Sequence, residues 1–154
     1  MLPGIITGDV QLTLAHAEEQ ARFDLDDVVT TAREDGEHHV LNGKKSMVPN
    51  AATATHIIVS ARTGGGQQDK TGIALFLIDA DDLDGNHFPT VDGGRASEIS
   101  LDNVRVPTDR MIGDYEIFGE DRPGRGSCLV RGSAGLHGGV VQEHGGVHPR
   151  ARAV

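Results

Sequence analysis

The chain has 154 residues and a formal charge of -9, and its 14 Lys and Arg are scattered rather than gathered into the basic stripe that a polyanion needs, which argues against nucleic acid. No apolar run approaches the roughly 20 residues of a membrane span, and Met1-Leu2-Pro3-Gly4 lacks the basic and apolar regions of a secretory leader. The lone Cys128 cannot form an internal disulfide, so the expectation is a soluble, cytoplasmic protein with no membrane partner. Apolar content is 37%, and the aromatics are only Phe23, Phe76, Phe88, Tyr115 and Phe118, so a core must rest on Val, Ile, Leu and Ala. Such residues suit short strands.

In chain order, residues 10 to 15 alternate around Leu12 and Leu14 and predict a strand, and Asp27 to Arg33 with Val28-Val29-Thr30-Thr31 predicts a second. The charged stretch between them reads as a loop, with Glu18, Glu19, Asp24, Asp26 and Asp27 taken as a wet surface. Asp35-Gly36 and Asn42-Gly43 accept the positive φ of hairpin turns, so Glu37 to Leu41 and Lys44 to Val48 are expected to pair across Asn42-Gly43. His38-His39 should straddle a strand, one ring in and one out. His56 to Arg62 and Gly72 to Asp79 are apolar runs bounded by breakers and give the clearest strands, joined by the flexible linker Gly64 to Lys70. Glu98 to Val106 alternates through Ile99, Leu101, Val104 and Val106 until Pro107 stops it. No segment carries a sustained helical stripe. The predicted fold is all-β, a small antiparallel barrel or sandwich of about seven strands over residues 1–117.

Residues 118–154 differ: nine glycines and five arginines, with no lysine or isoleucine, give neither helical nor strand periodicity, so this tail is expected to be irregular and disordered. Its His137, His144 and His148 with Cys128 are loosely spaced like metal ligands, but without a tight pair no metal site is assigned. Asp79 to Asn86 resembles a calcium loop only until Gly85 is set at the sixth position, which would make Ala80 the first ligand; it reads as a solvated turn. Gly64-Gly65-Gly66 lacks the Lys-Ser/Thr of a phosphate loop.

The segment Asp35-Gly36-Glu37-His38-His39-Val40-Leu41-Asn42-Gly43-Lys44-Lys45, and Gly94-Arg95-Ala96-Ser97 leading into Leu101-Asp102-Asn103-Val104-Arg105-Val106-Pro107, resemble the middle β-domain of the acyl-CoA dehydrogenase family. The resemblance spans about residues 8 to 114. It implies a flavoenzyme scaffold for α,β-dehydrogenation of an acyl-CoA thioester, with FAD as hydride acceptor. In that family the base is a glutamate of a C-terminal helical domain, so no catalytic residue is expected in this chain. Where that helical domain should begin, the abrupt change after Phe118 resembles a GC-rich coding region read in another frame.

Carried over residue by residue, the family's Thr-Glu-Pro followed by Gly-x-Gly-Ser-Asp falls on Ala17-Glu18-Glu19 and the residues up to Asp24. Glu18, Ala21 and Asp24 match, while Ala17 replaces the threonine and Arg22-Phe23 the Gly-Ser pair. This variant resembles small subunits of pimeloyl-CoA dehydrogenase-like heteromeric enzymes. The family's Asn-Gly-x-Lys and Trp-Ile-Thr-Asn fall on Asn42 to Asn50, with Met47 for the tryptophan and Pro49 for the threonine. The resemblance therefore sets His16, Ala17, Met47, Val48 and Pro49 beside FAD and Phe23 toward the acyl-CoA. The expected role is a dehydrogenase middle domain, inactive alone. The alternative is a non-catalytic subunit or interaction module docked on a catalytic dehydrogenase.

Overall fold

The computed structural model describes residues 1–22 and 24–114. A short helix α1 (Leu2–Thr7) leads into strands β1 (Leu12–Ala15), β2 (Thr31–Asp35), β3 (His38–Pro49), β4 (His56–Arg62), β5 (Ile73–Asp79), β6 (Asp84–Pro89), β7 (Arg95–Pro107) and β8 (Met111–Asp114). They form one eight-stranded sheet in the order β6-β7-β3-β2-β4-β5-β8, with β1 also on β4. The all-β expectation holds. The sheet is not closed, since β6 and β8 end it without pairing with each other, and it is mixed, because β1 and β2 run parallel to β4 along one edge, at His56 to Val59 and at Arg62 respectively. The predicted tail, with Cys128, His137, His144 and His148, and the predicted contact Phe23 lie outside the described residues.

Why β4 and β5 read so plainly follows from their position. Ile57, Val59 and Ala61 of β4, and Ala74, Phe76 and Ile78 of β5, enter the main core with Leu41, Ile99 and Leu101. Their neighbours Ile58 and Leu75 join Leu14 in a second cluster. Strands buried on both faces lose the apolar–polar alternation and become continuous apolar runs. His39 is buried with its ring against Phe76, centroids 5.1 Å apart, while His38 is half-buried.

The expected hairpin at Asn42-Gly43 is corrected. The turn is at Gly36-Glu37, between the paired Asp35 and His38, with Gly36 at φ 65°, and β3 runs unbroken through Asn42-Gly43. Leu41 pairs with Val104 and Gly43 with Leu101, so Asn42 opposes both Asp102 and Asn103, a β-bulge. Asn42 is used across the strands: its Oδ1 accepts the Asn103 N–H at 2.9 Å, and Asn103 takes a left-handed φ of 53°. Gly43 is required by space as well as by its φ of 155°, since a Cβ there would lie 2.6 Å from Thr30 Oγ1. Turn chemistry and bulge chemistry use the same residues, so the dipeptide alone does not distinguish them.

Two further strands, β6 and β8, were not legible. Asp84–Pro89, half of it within the expected solvated turn, follows a 3-10 turn at Ala80–Asp82 and pairs with β7 from Asp84↔Ser100 to Pro89↔Arg95. It is an almost wholly exposed edge strand. The linker Gly64 to Lys70 is organised around Arg62, whose buried guanidinium donates to the carbonyls of Asp26, Val28, Gly64, Gln67, Asp69 and Thr71. That one side chain ties the β4–β5 connection to the 24–30 segment.

Gly43→Ala is expected to destabilise by roughly 1–3 kcal/mol through overpacking alone, with backbone strain on top. Gly36→Ala, which meets nothing within 4 Å, should carry only the strain. Urea unfolding followed by circular dichroism checks the order of the two.

Candidate functional site

The chain leaves β1 at Ala15 and passes directly beside the second half of β3. The Ser46 N–H donates to the Ala17 carbonyl at 2.9 Å, and Thr13 Oγ1 donates to the Pro49 carbonyl at 2.6 Å. Four of the five flavin-side residues expected from the sequence, His16, Ala17, Met47 and Pro49, thus form one rim at the end of the sheet. Val48 is the exception: it turns into the core at 1% exposure and could offer a ligand only its backbone.

Met47 owes its place to a second bulge. Lys45 pairs with Ile99 and Val48 with Ser97, so Ser46 and Met47 together oppose Glu98. Met47 takes the left-handed φ of 51°, and its side chain stands 57% exposed. Only a few per cent of non-glycine residues adopt such a φ, and the surroundings must over-determine it. His16 is half-buried, and its Nδ1 is buried without a hydrogen-bond partner. Burial, and then the nearby charge of Lys45, hold its pKa below the usual 6.5, so the ring is neutral at pH 7.

Beneath the rim lies a pair that reading the residues singly did not reveal. Lys45 is 1% exposed, and its Nζ donates to Glu18 Oε1 at 2.6 Å and to Ser60 Oγ at 3.0 Å. Glu18, 4% exposed, also accepts the N–H groups of Val29 at 2.8 Å and Thr30 at 3.1 Å, and Gln20 Nε2 at 2.8 Å. Asp27 is buried too, receiving Gln67 Nε2 at 2.7 Å, Gln68 Nε2 at 3.2 Å and Gln20 Nε2 at 3.3 Å. Two of the five residues of the expected wet acidic surface are therefore interior, because Glu18 and Asp27 each have enough donors to replace water. The signal was present in the motifs: Glu18 and Lys45 are the residues that match the family's Thr-Glu-Pro and Asn-Gly-x-Lys.

A cavity of about 320 Å³ lies elsewhere, bounded by Ala51, Ala54, Ile57, Leu83, His87 and Ile99, and none of the rim residues lines it. Among the described residues no group of three His, Cys, Asp or Glu stands ready to hold a metal ion, and no helix is long and apolar enough to cross a membrane.

The pair makes stability depend on pH with a definite sign. Burial pulls Lys45 down from 10.5 to about 8 against the opposing pull of Glu18. Burial alone would raise Glu18, but the charge and hydrogen bond of Lys45, with further hydrogen bonds, hold it below its usual 4.5. The native state therefore binds fewer protons than the unfolded chain in both windows. Stability should fall as pH drops below 4.5 through the lowered Glu18 value, and the Lys45 contribution should rise from about pH 8 to 10.5. Urea midpoints measured across pH test both arms.

Comparison with known proteins agrees with this arrangement. The family model "Acyl-CoA dehydrogenase, middle domain" matches residues 13–104. Acyl-CoA dehydrogenase FadE29 of Mycobacterium tuberculosis is 31% identical over 115 residues, which cover 73% of this chain and 30% of that protein. Among solved structures, the Tcur3481-Tcur3483 steroid ACAD superposes with a TM-score of 0.69 at 30% identity, over 73% of this chain and 30% of that one. The ChsE4-ChsE5 complex from Mycobacterium tuberculosis gives 0.69 at 27% identity, over 74% and 30%. The chain thus spans about 30% of the length of the curated relatives it matches. With the middle-domain model covering β1 to most of β7, and with its Glu and Lys motif residues joined under one rim, the chain belongs to the acyl-CoA dehydrogenase family, whose members use FAD.

Proposed function

We propose that this chain is the middle domain of an FAD-dependent acyl-CoA dehydrogenase, serving α,β-dehydrogenation of an acyl-CoA thioester. The observation that carries the reading is the rim itself, in which the residues at the family's flavin-side positions are drawn together by the Ser46-to-Ala17 and Thr13-to-Pro49 hydrogen bonds. What the rim can offer is limited and specific. The exposed thioether of Met47 suits packing against the face of a flat ring.

Side-chain hydrogen bonding to the edge of a flavin does not fit Ala17 and Pro49. Ala17 has no hydroxyl, and Pro49 has neither hydroxyl nor N–H. The carbonyls of both already accept protein donors. Hydroxyl donors in place of the family's two threonines, and the base that would take the α proton, would come from elsewhere. In this reading residues 1–117 supply an apolar wall, Phe23 borders the acyl-CoA, and the domain is inactive alone. Residues 118–154 form a separate tail.

A second reading is a non-catalytic subunit of a heteromeric dehydrogenase. Two observations favour it: Ala17 and Pro49 lack the hydroxyls of the family's threonines, and two of the similar solved structures are named as two-component assemblies, Tcur3481-Tcur3483 and ChsE4-ChsE5. A structural subunit has no need of flavin donors. The purified 154-residue chain should show no flavin absorbance and no acyl-CoA turnover with an artificial electron acceptor. Stoichiometric FAD with turnover would overturn the inactive-domain reading. A dehydrogenase retained in equal amount through purification from the native cell would select the subunit reading over the domain alone.

A further inference from the structure

We infer that the buried Glu18–Lys45 pair, with Ser60, is a positioning device that fixes the left-handed bend at Met47 and so turns residue 47 out of the sheet toward the ligand of the rim. The inference rests on the reading of this rim as ligand-facing, and it adds the residues responsible for its shape. None of the three touches the ligand in this account; they act through the backbone they hold.

The geometry leaves the bend little freedom. On its N-terminal side Lys45 is locked, with its side chain fully buried and its ammonium held by Glu18 and Ser60. On its C-terminal side Val48 is packed into the core at 1% exposure, the Pro49 carbonyl accepts Thr13 Oγ1, and the Asn50 N–H donates to the Arg95 carbonyl at 2.9 Å. Between these anchors β3 carries one residue more than β7 can pair, and the excess is taken up at Ser46 and Met47.

The pair also sets which residue of the β1 exit meets which residue of β3. Glu18 follows Ala17, and Lys45 precedes Ser46, so the ion pair and the Ser46-to-Ala17 hydrogen bond form adjacent rungs between the same two segments. Slipping either segment by one residue would break both. An apolar pair of similar volume would fill the space, but it would not select one register, because apolar contact has no direction. Burial lowers the Lys45 pKa despite the attraction of Glu18, which is the mark of a pair retained at a cost. Register specification is the best-attested use of such pairs.

The chain has three methionines, Met1, Met47 and Met111, so methyl-13C-methionine labelling of the full chain gives three signals, with Met47 assigned through M47L. The double variant E18Q/K45L removes both charges and keeps the core filled. Its circular dichroism and cooperative unfolding should be retained, while the Met47 methyl moves to the position of an unstructured methionine and the Ser46 amide exchanges at least about tenfold faster. A folded double variant with an unchanged Met47 methyl and Ser46 amide would overturn the inference, because the pair would then be structural filling only. M47G decides the case if the double variant does not fold. Glycine tolerates the left-handed φ, so the urea midpoint should hold or rise if the scaffold enforces the bend, and a lower midpoint would overturn the inference. Neither readout involves flavin or acyl-CoA, so a failure of the functional reading would not be mistaken for a failure of this one.

Discussion

A lysine ammonium removed from water must be answered by a carboxylate and by further hydrogen-bond acceptors, and the meeting of Lys45 with Glu18 and Ser60 is the constraint around which this domain is arranged. The effective cost of burying each ion is several kcal/mol, on the order of what a single domain has to spare. Glu18 reduces that cost by accepting from Lys45, Gln20 and the N–H groups of Val29 and Thr30. Those bonds tie Glu18 and Gln20 to Val29 and Thr30. Arg62 completes the task from the far side by gathering carbonyls of Asp26, Val28 and the 64–71 connection. Two buried cations thus organise the stretch that lies between β1 and β2.

The functional consequence follows from what is kept and what is changed. The residues that build the frame, Glu18, Gly43, Lys45 and the Leu101 to Pro107 strand, match the acyl-CoA dehydrogenase pattern and have structural work in the sheet. The residues that would face a flavin, Ala17, Met47 and Pro49, depart from it. The frame tolerates these departures because the rim bonds are accepted by the backbone carbonyls of Ala17 and Pro49, which do not depend on the side chains at those positions. A domain of this kind can keep its shape while its share of the ligand chemistry passes to other chain segments or to a partner.

How much of this was legible in the sequence depended on burial. Runs such as Ile57-Ile58-Val59 announced strands because both faces are covered. Asp84–Pro89 did not, since an exposed edge strand has no apolar face to display. Asn42-Gly43 was read as a turn because bulges and turns share residue types; the decisive fact is the steric limit set by Thr30, which comes from elsewhere in the chain. The burial of Lys45 was invisible in the residues alone, since lysine is almost never fully buried unless paired and its partner stands 27 residues away. The rim positions were expected only through the family resemblance, and of those residues Val48 turns its side chain into the core.

The central claim is that Glu18 and Lys45 act as one unit on which the order of the domain depends. A double-mutant cycle tests it most directly, with urea unfolding of wild type, E18Q, K45L and E18Q/K45L at pH 7. Each single variant should lose about 3–5 kcal/mol by stranding a buried partner. The double variant should lose far less than their sum, with a coupling energy above about 2 kcal/mol. Losses that add to within about 0.5 kcal/mol would contradict the account, because independent residues cannot be its pivot.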